Sequence, residues 1–114
     1  MHEETGAERL EVVVRDNPEE HRYEATLDDT LVGIAAYELH DGVMVFPHTV
    51  VPPEWEGRGV ADQIVQFALD DVRARGLQAL PACSYVVAWV KRHPDYIDLV
   101  PPDERQRFER PSRS

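Results

Sequence analysis

Between Pro52 and Gly76 the chain reads PPEWEGRGVADQIVQFALDDVRARG, and no other stretch limits the fold as sharply. Ala61, Ile64, Val65, Ala68, Leu69 and Val72 recur at intervals of three and four residues, which places them on one stripe of an α-helix. Gly76, after Arg73 and Arg75, falls where a C-terminal cap belongs. A helix with a single apolar stripe must lay it on an apolar surface. The segments around it say what that surface is.

Four of them read as strands. LEVVVRD, from Leu10 to Asp16, alternates apolar and polar side chains, and HRYEATLD, from His21 to Asp28, groups Tyr23, Ala25 and Leu27 on one face. TLVGIAAYELH, from Thr30 to His40, is a third strand, and the Asp41-Gly42 pair turns it into a fourth, VMVFPHTVV, from Val43 to Val51. Tight turns between all four predict an antiparallel meander. Pro47 has no N–H to give to a ladder, so pairing should break or bulge in the fourth strand.

After the helix, LQALPAC (Leu77 to Cys83) suits a fifth strand, parallel to the fourth because a helical crossover joins them. SYVVAWVKRHP is two-sided. Its valines and tryptophan favour a strand, whereas Val86, Trp89, Val90 and His93 are spaced as in a helix, with Ser84 as a possible N-cap and Pro94 as a stop. The fold expected overall is α+β, a mixed sheet with one crossover helix and a second helix after strand five. Residues 1–8 read as a flexible leader, 9–100 as the domain, and 101–114 as a polar, mobile tail.

The charge balance narrows the partners. Acidic residues outnumber basic ones by 22 to 12, a formal net charge of −10, which disfavours nucleic-acid binding. No apolar run reaches the roughly 20 residues of a membrane-spanning helix. An acidic start without an apolar core and a single cysteine, Cys83, lead to the expectation of a cytoplasmic protein without a membrane partner. No His/Cys cluster has the spacing of metal ligands, so no metal is expected.

Gly57-Arg58-Gly59 opens the long helix. A helix N-terminus carries unpaired N–H groups and about half a positive charge, and glycines let an anion come close to the backbone. Arg58 adds a side chain suited to phosphate. The ordinary alternative is a turn with no ligand.

On these residues the chain resembles the GCN5-related N-acetyltransferases, whose Arg/Gln-x-x-Gly-x-Gly/Ala signature falls here on Glu56, Gly59 and Ala61. FPHTVVPPEWEGRGVA together with LPACSYVVAWVKRHPDYIDLV is similar to a short, single-domain branch of that superfamily. The resemblance runs from about Leu10 to Val100 and implies acetyl-CoA as cofactor and an amine as acceptor. It places the pantetheine arm at Val50 and Val51, in a splay between strands four and five. It places the pyrophosphate at Glu56, Gly57, Arg58, Gly59, Val60 and Ala61, and a backbone N–H near Val50 against the thioester carbonyl. Glu56 departs from the signature, where Arg or Gln is usual.

Three side chains are candidates for the chemistry. His48 carries an imidazole near the splay, a group suited to a general base, or is a strand-surface histidine or a structural hydrogen-bond partner. Cys83, just before a helix, is a nucleophile, a wall of the thioester pocket, or a small buried residue. Tyr85 is a proton donor for the departing thiolate or a packed aromatic. Lys91, Arg92 and His93 lie where a CoA phosphate could be met, or form a solvated helix end. The expected activity is acetyl transfer from CoA to an amine; the alternative is a CoA-binding module without turnover.

Overall fold

The computed structural model describes residues 8–109, so nearly all of the expected leader and the end of the expected tail lie outside the described residues. Its elements are β1 (Val13–Asn17), β2 (Arg22–Leu27), β3 (Thr30–Ala36), β4 (Glu38–His40), β5 (Val43–Phe46), β6 (Thr49–Val50), α1 (Val60–Ala74), β7 (Gln78–Pro81), α2 (Ser84–Arg92) and α3 (Gln106–Glu109). β1, β2, β3 and β6 form one antiparallel sheet in that order. β4, β5 and β7 form the other, with β5 and β7 parallel. This is the expected α+β mixed sheet.

The expected five strands appear, but two are broken. The third bends at Tyr37, whose amide donates to the His21 carbonyl at 2.9 Å and whose buried ring carries its hydroxyl to Asp16 at 2.7 Å. β3 therefore pairs with β2 and β6, and β4 with β5. The fourth strand breaks at Pro47–His48, as the missing N–H of proline predicts. The first begins at Val13 rather than Leu10, because the amide of Val12 donates to the Gln63 side chain and that of Leu10 to the Arg58 carbonyl.

α1 lies across the four-stranded sheet. Val60, Ile64, Val65, Ala68, Leu69 and Val72 are its buried residues and pack with Tyr23, Ala25, Val32 and Ala35. Contact is close: a Cβ on Gly33 would come within 2.9 Å of Ile64 Cδ1 and Val60 Cγ1. Only glycine lets strand and helix approach so nearly. At its far end α1 closes in a Schellman cap, with Leu77 N–H on the Val72 carbonyl at 3.0 Å and Gly76 N–H on Arg73 at 3.1 Å.

The two-sided segment after strand five is helical. Its N-cap is Cys83, with Ser84 the first helical residue, because Cys83 keeps an extended backbone and its carbonyl accepts the N–H of Val87 at 3.0 Å. The segment after Val100 is no loose tail as far as Glu109. A 3₁₀ turn over Pro102–Glu104 and then α3 bring Phe108 into the core, 6% exposed. Arg105 secures it through the carbonyls of Val100 (2.8 Å) and Asp98 (3.0 Å). A single aromatic anchor outweighs the polar composition that suggested mobility.

Candidate functional site

The site grows out of the break in the fourth strand. Phe46 is the last residue of β5 to pair with β7, and its carbonyl accepts both Ala82 N–H (3.1 Å) and Cys83 N–H (2.9 Å). Beyond it the two segments part: Thr49–Val50 turns to β3, while Ser84 starts α2. That divergence is the splay expected between strands four and five. Its backbone polarity follows from the ladder. Ala36 N–H donates to the His48 carbonyl at 3.0 Å, so His48 and, two residues on, Val50 sit in hydrogen-bonded pairs with β3. Thr49, between them, turns its N–H and C=O away from β3, toward the gap.

This shifts one expectation. The amide of Val50 is committed to Ile34 and the side chain of Val50 is exposed, so the amide turned toward the gap belongs to Thr49, where it faces the Cys83 thiol.

On the other side of the gap lies the opening of α1. The chain leaves Val51 through a 3₁₀ turn over Pro53–Trp55 and reaches Gly59, the N-cap, at φ 82°. Among the described residues no side chain caps the helix there. The first helical bond is Gln63 N–H to the Gly59 carbonyl at 3.2 Å, so the amides of Val60, Ala61 and Asp62 have no helical partner. Any side chain at Gly59 would be strained by its φ, and its Cβ would meet Arg9 Cγ at 2.9 Å.

A cleft of about 360 Å³ joins the two sides. Val51, Glu56, Gly57, Gly59, Val60, Ala61 and Tyr85 line it, all expected from the sequence. Val50, Arg58, His48 and Cys83 do not. Arg58 is turned to the N-terminal strap, its Nε donating to the Glu8 carbonyl at 3.0 Å. The exposed His48 gives its carbonyl to β3. Three lining residues escaped the sequence reading: Thr49, Trp55 and Asp62. An acid in the first turn of a helix is a readable signal for Asp62, since it complements the dipole there; its partners are not readable.

Asp62 is the electrostatic centre of the cleft. Its carboxylate accepts Trp89 Nε1–H at 2.7 Å and Arg9 Nη2–H at 2.9 Å. Burial works against its charge, but those two bonds outweigh it and hold the carboxyl below its usual range. Tyr85 behaves oppositely. Burial, and then the Asp62 charge, push its phenol up, so it keeps its proton near neutral pH.

Cys83 stands just behind the lining, its Sγ 3.9 Å from Thr49 Oγ1. Burial opposes ionisation of the thiol, yet the amides of Val86 and Tyr85 at the start of α2 and the Thr49 hydroxyl together bring its pKa below the ordinary thiol value. Of the basic trio on α2, Lys91 and Arg92 are exposed in its last turn. His93 stacks on Trp89 at 3.8 Å between centroids and donates Nδ1–H to the Trp89 carbonyl at 2.8 Å. It therefore buttresses Trp89, which in turn holds Asp62.

A mixed sheet that splays after a parallel pair, beside an uncapped helix opening, defines an α+β domain of the N-acetyltransferase fold. A family model described as GCN5-related N-acetyl-transferase matches residues 22–99, and the chain belongs to that family. Among curated proteins it is 37% identical over 57 residues to Protein NATD1 of Mus musculus and of Homo sapiens. It is 35% identical to Protein NATD1 of Xenopus tropicalis. The mouse match covers 48% of this chain and 52% of the relative, and the human match 48% and 50%. The chain thus spans about half the length of the curated relatives it matches. No described helix is long and apolar enough to cross a membrane.

Proposed function

We propose that this protein is an acetyl-CoA-dependent N-acetyltransferase that acylates an amine. The observation that carries the reading is the convergence of three backbone amides on one cleft, in a chain of this family: those of Val60 and Ala61 at the helix opening, and the outward one of Thr49. The residues present fit the cofactor. A Cβ on Gly57 would meet nothing within 4 Å, so the loop leaves room for a diphosphate against its backbone.

Acetyl-CoA, when bound, supplies an acyl group activated as a thioester. The amides opening α1 bind the diphosphate. The backbone edge at Thr49, turned away from β3, would orient the pantetheine arm as an added strand is oriented, and its N–H, which faces the Cys83 thiol, would turn to the thioester carbonyl. Val51 and Trp55 exclude water from one wall of the cleft. Tyr85, in the lining and protonated, holds the proton that the departing thiolate takes. Thr49 and Cys83 sit together, Sγ 3.9 Å from Oγ1, and the thiol would back the wall of the thioester site from behind Thr49. Loss of the amine proton goes through water or a base; His48, outside the lining, needs a bridging water to serve.

The position of His48 also favours a second reading, a CoA or acyl-CoA binding module without turnover. One experiment separates the two. Acetyl-CoA is titrated by calorimetry, and release of free thiol is then followed across monoamines, polyamines and lysine peptides. Binding with thiol release on some amine supports the transferase. Binding without release on any leaves the module, and the absence of binding at millimolar ligand removes both.

A further inference from the structure

The cleft has an unresolved charge problem. Its lining includes two carboxylates, Glu56 and Asp62, in a chain of formal net charge −10, and the arginine of the loop, Arg58, points elsewhere. A diphosphate entering such a cleft needs a cation that the helix-opening sequence does not provide. Arg9 stands just outside the lining, paired with Asp62 and set over Gly59.

We propose that Arg9, from a strap remote in sequence, is the cofactor-phosphate arginine of this protein, taking the role left empty by Glu56; the inference rests on the reading of the cleft as a CoA site. Three observations carry it. Arg9 lies over the helix mouth, with Cγ 2.9 Å and Nη1 3.1 Å from the position of a Cβ on Gly59. Its strap is bolted to α1 on both sides: Leu10 N–H on the Arg58 carbonyl at 2.8 Å, Gln63 Nε2–H on the Leu10 carbonyl, and Val12 N–H on Gln63 Oε1 at 3.2 Å. Among the described residues the guanidinium is held by Asp62, at 2.9 Å, with side chains 50% and 30% exposed. A solvent-accessible pair of this kind is worth under about 1 kcal/mol, so it yields readily to a doubly charged ligand.

Arg9 thus does two things. It neutralises Asp62, which would otherwise repel the diphosphate, and it keeps further N–H donors for the phosphate oxygens. The space above Gly59 also gains a meaning: the missing side chain makes room for the arginine.

The test is calorimetric titration of wild type, Arg9→Gln and Arg9→Lys with CoA and with dephospho-CoA, at about 50 and about 500 mM NaCl. Arg9→Gln is expected to lose about tenfold in affinity for both ligands at low salt, with the loss shrinking at high salt, and Arg9→Lys to recover much of it. In an Asp62→Asn background the Arg9→Gln loss persists, because the contact is direct. No loss in Arg9→Gln, an equal loss at both salt concentrations, or a loss that vanishes with Asp62→Asn would each overturn the assignment. A loss confined to CoA would overturn it as well, by moving Arg9 to the 3′-phosphate. Failure of CoA to bind wild type sinks the CoA reading itself, a result distinct from these.

Discussion

The two ends of α1 are built on opposite principles. At Ala74 everything is closed. The Schellman cap takes up the last carbonyls, and a network running from the core to the surface continues behind it: Tyr23 O–H to Asp71 at 2.7 Å, Arg75 to Asp71 at 3.2 Å and to Asp16 at 3.4 Å, Tyr37 O–H to Asp16 at 2.7 Å. Both phenols are pushed up by burial and by the carboxylate they serve, Tyr37 to about 12, so they act purely as donors. At Val60 the same helix has no side-chain cap among the described residues, and its amides open on a cleft. Polar groups that a fold buries are satisfied internally; those it leaves unpaired at a rigid, concave place are available to a ligand.

Four experiments break or sharpen that contrast. The largest effect belongs to the open end. Gly59→Val sets a β-branched residue at φ 82° and drives it into Arg9, so CoA affinity measured by calorimetry should fall by about 100-fold or more. An affinity within a few-fold of wild type would mean the ligand does not use the helix mouth. At the closed end, Tyr23→Phe removes a buried donor from Asp71 and should cost about 1–2 kcal/mol in urea unfolding while leaving CoA affinity unchanged. A matching loss of affinity would show that the two ends are coupled.

A smaller effect concerns Cys83, whose lowered pKa comes partly from the wall of the splay. Its alkylation by iodoacetamide should rise with pH through a midpoint below the ordinary thiol value of 9.0, and Thr49→Val should move that midpoint up. A midpoint at or above the ordinary value would remove the thiolate-favouring environment.

The smallest effect is a control remote from both ends. Arg22 and then Asn17 hold the Glu24 carboxyl below its ordinary value of 4.5. A carboxylate depressed on folding stabilises the native state above its unfolded pKa, and that stability is lost as pH falls through the lower folded value. Wild type should therefore lose more stability than Glu24→Gln as pH drops below about 4.5, and cofactor affinity at neutral pH should be the same in both. Equal acid sensitivity would mean that the pair with Arg22 contributes nothing.

Much of the fold was legible because its signals are local. The stripe from Ala61 to Val72 and its end at Gly76 need only helical periodicity and cap chemistry. Pro47 announced the break in strand four because a missing N–H acts where it stands. The bend at Tyr37 gave no warning, since its cause is a bond to His21, sixteen positions back in the chain by number and adjacent only in space. Phe108 was hidden among polar neighbours for a similar reason, as a buried anchor is recognisable only by what it packs against.

The candidate site divides along the same line. By itself the sequence determined the backbone half: glycines before a helix, a proline that parts two strands, Tyr85 and Cys83 at the start of α2, and the residues that carry the resemblance to the GCN5-related acetyltransferases. Only the tertiary structure decided the side-chain half. It turned Arg58 out, kept Val50 in the ladder, turned Thr49 toward Cys83, and set Arg9 and Trp89 on Asp62. Backbone geometry is encoded within a few residues, whereas the field in a cleft is the sum over charges that meet only when distant segments pack.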